Sequence, residues 1–516
     1  MGALTTPVAR PRGLYDREAE WDQLVAFVDD PRPGPAIGVV TGPRGHGKSF
    51  LLKALARATG GFYFCGQEAA QAETLRALAQ QYSRHADLAR APHWTGWRDA
   101  LLTLAVSGRG PAALVVIDGF PEVVRQSPGL PAAISEVCHR LGDGPGSSSR
   151  IRLLLCGSTT PVMRRLLSAS DRWVDQVVEM APLDFRQARD LWAIEDVALA
   201  LRVHAVVGGS AAFRFDPAGD RPPAGFADFD RWIRECVLSP RLPLFWKAGH
   251  LLDCVPDGVD VAACHSTVAA LAGGRSTPAE IADFLDRPAT DVPHILSHLE
   301  ARGLIHGEPD AFQPGLIHYR ITEPLLAFDH AVIRPHRSDL VDADDTAIDE
   351  IWRSARSAFE RDVAAPHFAQ ICREWAVRFA PAESLGDTPA SASSGSLPHT
   401  SGPHVGGSHA AGQPAIIDVV VRGRQASRPG PLLSIGMVSW THPMDTLHVE
   451  RLRGYLAQLA ALGEDIGRTR LACYGAAGFS PRLRAAEADG EVLLVSPERL
   501  YGDGQWPRKA QEGGRP

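Results

Sequence analysis

One eight-residue stretch constrains this chain more than any other: Gly42-Pro43-Arg44-Gly45-His46-Gly47-Lys48-Ser49. Its residue types and spacing are those of a phosphate-binding loop. Gly42 and Gly47 let the backbone curl until successive N–H groups converge, Lys48 reaches phosphate oxygens, and the Ser49 hydroxyl is placed to hold Mg²⁺. The flanks agree. Ala36 to Thr41 is a short apolar run bounded by Pro35 and Gly42, and Ser49 to Ala58 has helical spacing, which predicts strand, loop and helix with the helix N-terminus facing the anion. The implied ligands are ATP and Mg²⁺, contacted by Gly42, Pro43, Arg44, Gly45, His46, Gly47, Lys48, Ser49 and the adjoining Phe50. A chance match is improbable, because only four lysines occur in 516 residues.

That length is too great for one core and predicts two to four domains. A formal charge of -7 gives no global reason to expect a nucleic-acid partner. The eight cysteines form no C-x-x-C pair, so free thiols in a reducing compartment are expected and a zinc site is not. Met1 to Pro11 has no apolar signal core and no run of 18 apolar residues occurs, which predicts a soluble, cytoplasmic protein without a membrane partner.

The helix expected from Leu14 to Leu24 carries Arg17, a residue that can approach the nucleotide or pair on the surface. Gly61 to Cys65 reads as a second strand, Thr74 to Ala86 and His93 to Val106 as helices. Ala112 to Asp118 is a continuous apolar run ending in a carboxylate, as a parallel strand buried on both faces requires. Asp118, at its carboxyl end, is placed to hold Mg²⁺ with Ser49. Ile151 to Thr159 is a third buried strand ending in small polar residues, of which Ser158 or Thr159 can reach a γ-phosphate or cap the segment that follows. Strands alternating with helices imply a parallel sheet.

With these segments in view, the chain resembles the archaeal-type AAA ATPases of the STAND-like branch, in which a winged helix and a degenerate restriction-nuclease-like domain follow the ATPase. Leu14 to Leu24 is similar to the family's "GRExEL" helix, with Asp16 in place of its glycine. Asp118-Gly119-Phe120-Pro121 resembles "DEFP", and Leu155-Cys156-Gly157-Ser158 with Met163 resembles "LCGSS...M". Val207 to Phe213 is close to "TGGVPAY", and Tyr319 to Phe328 to "YxIxDPFLRFW". One departure bears on mechanism. The family has Glu after the magnesium aspartate, where it would orient the attacking water; here that position is Gly119, and Glu122 is the candidate replacement. The resemblance also implies an arginine contact to the γ-phosphate, for which Arg164, Arg165 and Arg172 are candidates and Arg172 is chosen.

Thr277 to Leu285 and Val292 to Ala301 predict a helix-turn-helix, closed by Gly303-Leu304-Ile305 and the return strand Tyr319-Arg320-Ile321 into a winged helix. Ser276 to His306 contains two arginines and five acidic residues, and the second helix offers His294, Ser297 and His298 but no Lys or Arg. Duplex reading requires neutralised phosphates, so a structural or protein-binding role is expected before nucleic-acid recognition.

In the last third, Pro381 to Pro414 reads as a flexible polar segment containing His399, His404 and His409. Around it, Glu360, Asp418 and the strand Leu432 to Trp440 resemble the acidic and "(D/E)-x-K" positions of restriction-type nucleases. Met437 and Ser439 stand where the family's "GEVKW" supplies Glu and Lys, and beyond Lys247 only Lys509 remains. One carboxylate cannot assemble that metal site.

The expected architecture is α/β: a P-loop NTPase parallel sheet (residues 1–235), then an all-α/winged-helix domain (236–340), then a small α/β nuclease-like domain (341–516) with a flexible insertion at 381–414. The expected function is an ATP-binding, slowly hydrolysing conformational switch with Lys48, Asp118 and Glu122 in catalysis, working on a protein partner or by self-association. The alternatives are a DNA-associated regulator and an ATP-gated nuclease.

Overall fold

The structure, a computed structural model, describes residues 8–11, 14–106, 113–142, 150–158, 160–168, 174–215, 221–253, 260–397, 415–424 and 430–502. Two compact units arise. Among the described residues, one comprises those up to Leu183 with Ser210–Ala212, and the other Asp184–Gly209 with those from Phe213 to Gly502. No helix among the described residues is long and apolar enough to cross a membrane.

The first unit is built on strands β1 (Ala36–Thr41), β2 (Phe62–Cys65), β3 (Ala113–Asp118), β4 (Ile151–Cys156) and β5 (Gln176–Glu179). They form an all-parallel sheet in the order β2-β3-β4-β1-β5. Apolar runs such as Val115-Val116-Ile117 suit it, because successive side chains enter two different cores. Ile37, Val39, Val115, Ile117, Leu153 and Leu155 pack against the helices Gln71–His85, Trp97–Val106 and Leu130–Gly142. Val40, Val116, Leu154 and Cys156 face Trp21, Leu24, Leu51 and Leu55 on the other side. Arg152 interrupts one run yet is buried, because its guanidinium donates to the carbonyls of Asp30, Arg32 and Gly34.

The second unit begins with helices Phe185–Trp192 and Val197–Val207, capped by Asp184 and Asp196. Helices Val261–Ala272, Pro278–Leu285 and Val292–Ala301 with the antiparallel hairpin β6 (Ile305–Pro309) and β7 (Ile317–Ile321) make the winged helix around Val268, Ile281, Ile295, Leu296 and Leu299. The capping box between Thr277 and Glu280 fixes the start of its second helix. A second five-stranded sheet follows: β8 (Pro389–Leu397), β9 (Ala415–Gly423), β10 (Leu432–Ser439), β11 (Arg470–Gly475) and β12 (Leu493–Val495). Its order is β12-β11-β10-β9-β8, parallel from β10 to β12 and antiparallel at β9 and β8.

One expectation needs correction. The stretch expected to be flexible from 381 contains the helix Ala382–Leu385 and strand β8; the rest of it, 398–414 with its three histidines, lies outside the described residues. The expected boundaries at 235 and 340 both fall inside the second compact unit. One continuous core runs from Phe185 through Phe328, Trp352 and Trp375 to Tyr474 and Tyr501, so the helical segment and the C-terminal sheet belong to a single unit.

Candidate phosphate-binding site

The loop between β1 and the helix Lys48–Thr59 needs its glycines. Gly42, Gly45 and Gly47 have φ of +138°, +89° and +86°, a region other residues enter at a cost. A Cβ on Gly42 would stand 2.2 Å from the Met180 carbonyl oxygen, and one on Gly45 would stand 2.8 Å from the Ser210 hydroxyl. Gly47 caps the helix N-terminus, leaving its first amides free to meet an anion. Lys48 is buried, and its ammonium donates to the carbonyls of Gly42 (2.9 Å) and Pro43 (2.6 Å). Burial lowers its pKa, while Cys156 and Asp118 oppose that shift. Arg44, Ser49 and Phe50 are exposed and His46 is buried.

β4 pairs directly with β1, and the Gly157 N–H continues the ladder to the Val40 carbonyl at 3.2 Å. Ser158 is therefore brought to the loop's edge of the sheet, half-buried. Thr159 and Arg172 lie outside the described residues, and Arg164 and Arg165 are exposed. Arg17 donates to the Ala181 carbonyl (2.7 Å) and to Glu20 (2.9 Å), tying its own helix to the segment after β5. Asp16, standing where the resembled family has glycine, has φ of +49°; aspartate is among the residues that tolerate this region.

At the end of β3, Asp118 is 6% exposed. Its Oδ2 accepts from the Tyr63 hydroxyl at 2.5 Å and its Oδ1 from the Gly119 N–H at 2.9 Å. Cys156, opposite it on β4, has its thiol pKa pushed well up by burial and then by Asp118. Gly119 has φ of +74°, and a Cβ there would lie 2.7 Å from the Gly66 carbonyl oxygen and 3.6 Å from Glu122 Oε2. A glutamate at 119 would be strained and crowded. The Glu122 carboxylate, from the first turn of the helix Phe120–Gln126, lies beside that place and acts weakly on Lys48 through its charge.

Two participants were not found by sequence reasoning. Tyr63 reads as an ordinary core aromatic of β2. Ser210, whose hydroxyl donates to the Gly45 carbonyl (3.3 Å) while the Ala212 N–H does the same (3.1 Å), lies in the "TGGVPAY"-like segment, but nothing there announced a contact with the loop.

The other expected sites are differently engaged. Glu360 accepts from Arg202 Nε (3.3 Å) and from the Trp440 indole, beside a cavity of about 260 Å³ lined also by Thr441, Ala476 and Pro497. Asp418 accepts from the Val438 N–H at 2.9 Å. The Ser439 hydroxyl donates to the His442 carbonyl at 2.6 Å. Among the described residues no group of three His, Cys, Asp or Glu side chains converges for a metal ion. On the winged helix's third helix, Val292–Ala301, His294 and Ser297 are exposed, and His298 is half-buried with its pKa lowered by burial, then by Arg302 and His294.

No protein-family model matches the chain, and no curated protein matches it. Among solved structures it is similar to the Aeropyrum pernix ORC2 protein in ADPNP–ADP complexes, at 15% identity over 68% of this chain and 97% of that one, with a TM-score of 0.41. It is also similar to the Aeropyrum pernix ORC1 protein in complex with DNA, at 14% identity over 66% and 97%, with a TM-score of 0.32. Cdc6p from Pyrobaculum aerophilum matches at 14% identity over 68% and 97%, also with a TM-score of 0.32. At these values the functional reading rests on the site's own chemistry.

Proposed function

We propose that the first unit binds ATP with Mg²⁺, hydrolyses it slowly, and acts as a nucleotide-dependent switch for a protein partner or for self-association. The observation that carries this is the cradle itself: three glycines with positive φ, a helix N-terminus, and the Lys48 ammonium, with Asp118 two strands away on the same sheet. The donor set fits a polyphosphate. Backbone amides of the loop other than Pro43, up to Ser49, would donate to it, Lys48 would exchange its two loop carbonyls for phosphate oxygens, and Ser158 would reach the terminal phosphate from β4. Phe50 and Arg172 complete the proposed contacts. Ser49 and Asp118 would hold Mg²⁺, which neutralises charge developing on the phosphates.

Glu122 is read as the group that orients water. Its carboxylate lies 3.6 Å from where a Cβ at 119 would stand, but it comes from a helix instead of a strand end, so a slow rate is expected. The C-terminal sheet is read as a nuclease-like fold used for interaction, because Glu360 and Asp418 are engaged by protein donors and a lysine is lacking at Ser439. Against duplex reading stands the acidic helix-turn-helix.

Calorimetric titration with ATP and ADP beside a turnover assay tests the proposal. Lys48→Ala is expected to weaken nucleotide binding at least about tenfold. Glu122→Gln is expected to keep binding and lower turnover about a hundredfold. Unchanged affinity in Lys48→Ala would remove the nucleotide reading; unchanged turnover in Glu122→Gln would remove only the catalytic role.

A further inference from the structure

The C-terminal sheet ends in a cavity in which the phosphate-binding loop has no part. Strands β10, β11 and β12 run parallel, and their carboxyl ends lead into Trp440, Ala476 and Pro497, which form part of its lining. The crevice outside the carboxyl ends of parallel strands is where open α/β sheets bind ligands. At about 260 Å³ the space admits a molecule of small-metabolite size. Ala198 and Arg202 line it from the helix Val197–Val207, and Glu360 from the π-helical turn Phe359–Ala364. The polar groups of this lining are unequally spent. Glu360 meets two protein donors, Arg202 Nε at 3.3 Å on one oxygen and the Trp440 indole on the other. The Arg202 guanidinium is held between two aromatic rings, 4.9 Å from the centroid of Phe226 and 4.8 Å from that of Trp440. Besides Nε, only its Nη1 makes a hydrogen bond among the described residues, a long one of 3.4 Å to the Ala198 carbonyl. Most N–H groups of the rigid fork therefore remain for a further acceptor.

We propose that this cavity binds a small oxyanion, a carboxylate or a phosphate monoester on a short aliphatic body, with its head on Arg202 and its body against Ala198, Ala476 and Pro497. The guanidinium fork matches either head in bidentate geometry, as an ammonium would not. Glu360 is a positioning residue here: by taking Nε it leaves the Nη edge to the ligand, and both of its oxygens are already engaged, so it offers little to a cation. The site stands apart from the nucleotide reading of the loop, and neither depends on the other.

The test titrates the full chain with n-butyrate, n-butyl phosphate and n-butylammonium, followed by the NMR signal of the Ala476 methyl group in alanine-labelled protein, with thermal melts to verify folding. That methyl lies in the cavity lining, so an anion taken up at the phosphate-binding loop does not enter the readout. One or both anions should shift it saturably, with a dissociation constant of about a millimolar or tighter, and the cation at least about tenfold more weakly. Whichever anion binds more tightly identifies the head. Arg202→Gln should weaken the anions at least about tenfold. Ala198→Leu, which fills the space and leaves the Arg202–Glu360 pair in place, should do the same. Saturable anion binding that survives either substitution in a folded protein overturns the proposal, as does equal binding of n-butylammonium or a wild-type signal that neither anion moves.

Discussion

Glu323, immediately before the helix Pro324–Phe328, shows how one side chain couples this fold to pH. Burial pushes its carboxyl up to about 7, only partly opposed by the Leu325 amide, and its Oε1 has no hydrogen-bond partner among the described residues. Unfolded, it titrates at about 4.3. Below that value both states are protonated and the fold carries no penalty. Between the two values the unfolded chain sheds a proton that the folded chain keeps, so stability falls as pH rises and levels off above about 7. Glu323→Gln is therefore expected to raise stability by about 1–2 kcal/mol at pH 8, after allowance for the group's partial exposure, and by almost nothing at pH 4. Urea melts of both proteins at the two pH values check this; an equal gain at both would locate the effect elsewhere. The loop at Gly42 to Ser49 was legible at this same scale, because glycine, lysine and serine at fixed spacing have few other uses. Tyr63 was not legible, since a tyrosine in an apolar strand has the same pattern whether or not its hydroxyl finds a carboxylate across the sheet.

Strand β8 and the β6–β7 wing explain each other at the scale of elements. The sequence of β8, Pro-Ala-Ser-Ala-Ser-Ser-Gly-Ser-Leu, lacks the alternation of large apolar residues that marks a strand, and so it read as a linker. Its partner is what orders it. The wing tip docks along its edge: the Ala311 N–H donates to the Ser394 carbonyl (3.0 Å) and Gln313 Nε2 to the Ser396 carbonyl (3.0 Å). The Asp310 carboxylate accepts from the amides of Phe312 (2.8 Å), Gln313 (2.9 Å) and Ser396 (2.8 Å) and from His318 (3.0 Å). Burial alone would raise its pKa, but these donors hold it below the ordinary carboxylate value. Small residues are required because the Phe312 ring lies 2.4 Å from where a Cβ on Gly395 would be. Asp310→Ala should thus cost about 2–4 kcal/mol, and Gly395→Val should free the edge by collision. Hydrogen exchange is the measurement: protection at 394–397 should fall in both variants while ATP affinity stays unchanged. The native Asp310 contribution is complete above about pH 4 and lost as acid titrates through its lowered folded pKa.

At the scale of the whole molecule, the packing gives two compact units, and the motif-based boundaries at 235 and 340 both lie within the second. Motifs mark where chemistry sits, but they do not reveal which helices share a core. The apolar spacing of the helix Val197–Val207, where Leu199, Val203 and Val206 are buried, is satisfied by any apolar neighbour. The neighbours turned out to be Phe328, Trp352, Phe359 and Trp375, far along the chain. The cores of the first unit contain no residue beyond Met180, and the large core of the second begins at Phe185. Each unit therefore has the apolar interior to unfold as its own cooperative step. Calorimetry should show two transitions, and ATP with Mg²⁺ should move only the one belonging to the unit that carries the loop. At a hundredfold excess over the dissociation constant the added stability is about 2.7 kcal/mol, enough to displace that midpoint by several degrees. Lys48→Ala should abolish the displacement without altering the other transition. One transition moved as a whole by nucleotide would show instead that the two units melt together, and that binding at the loop stabilises the entire chain.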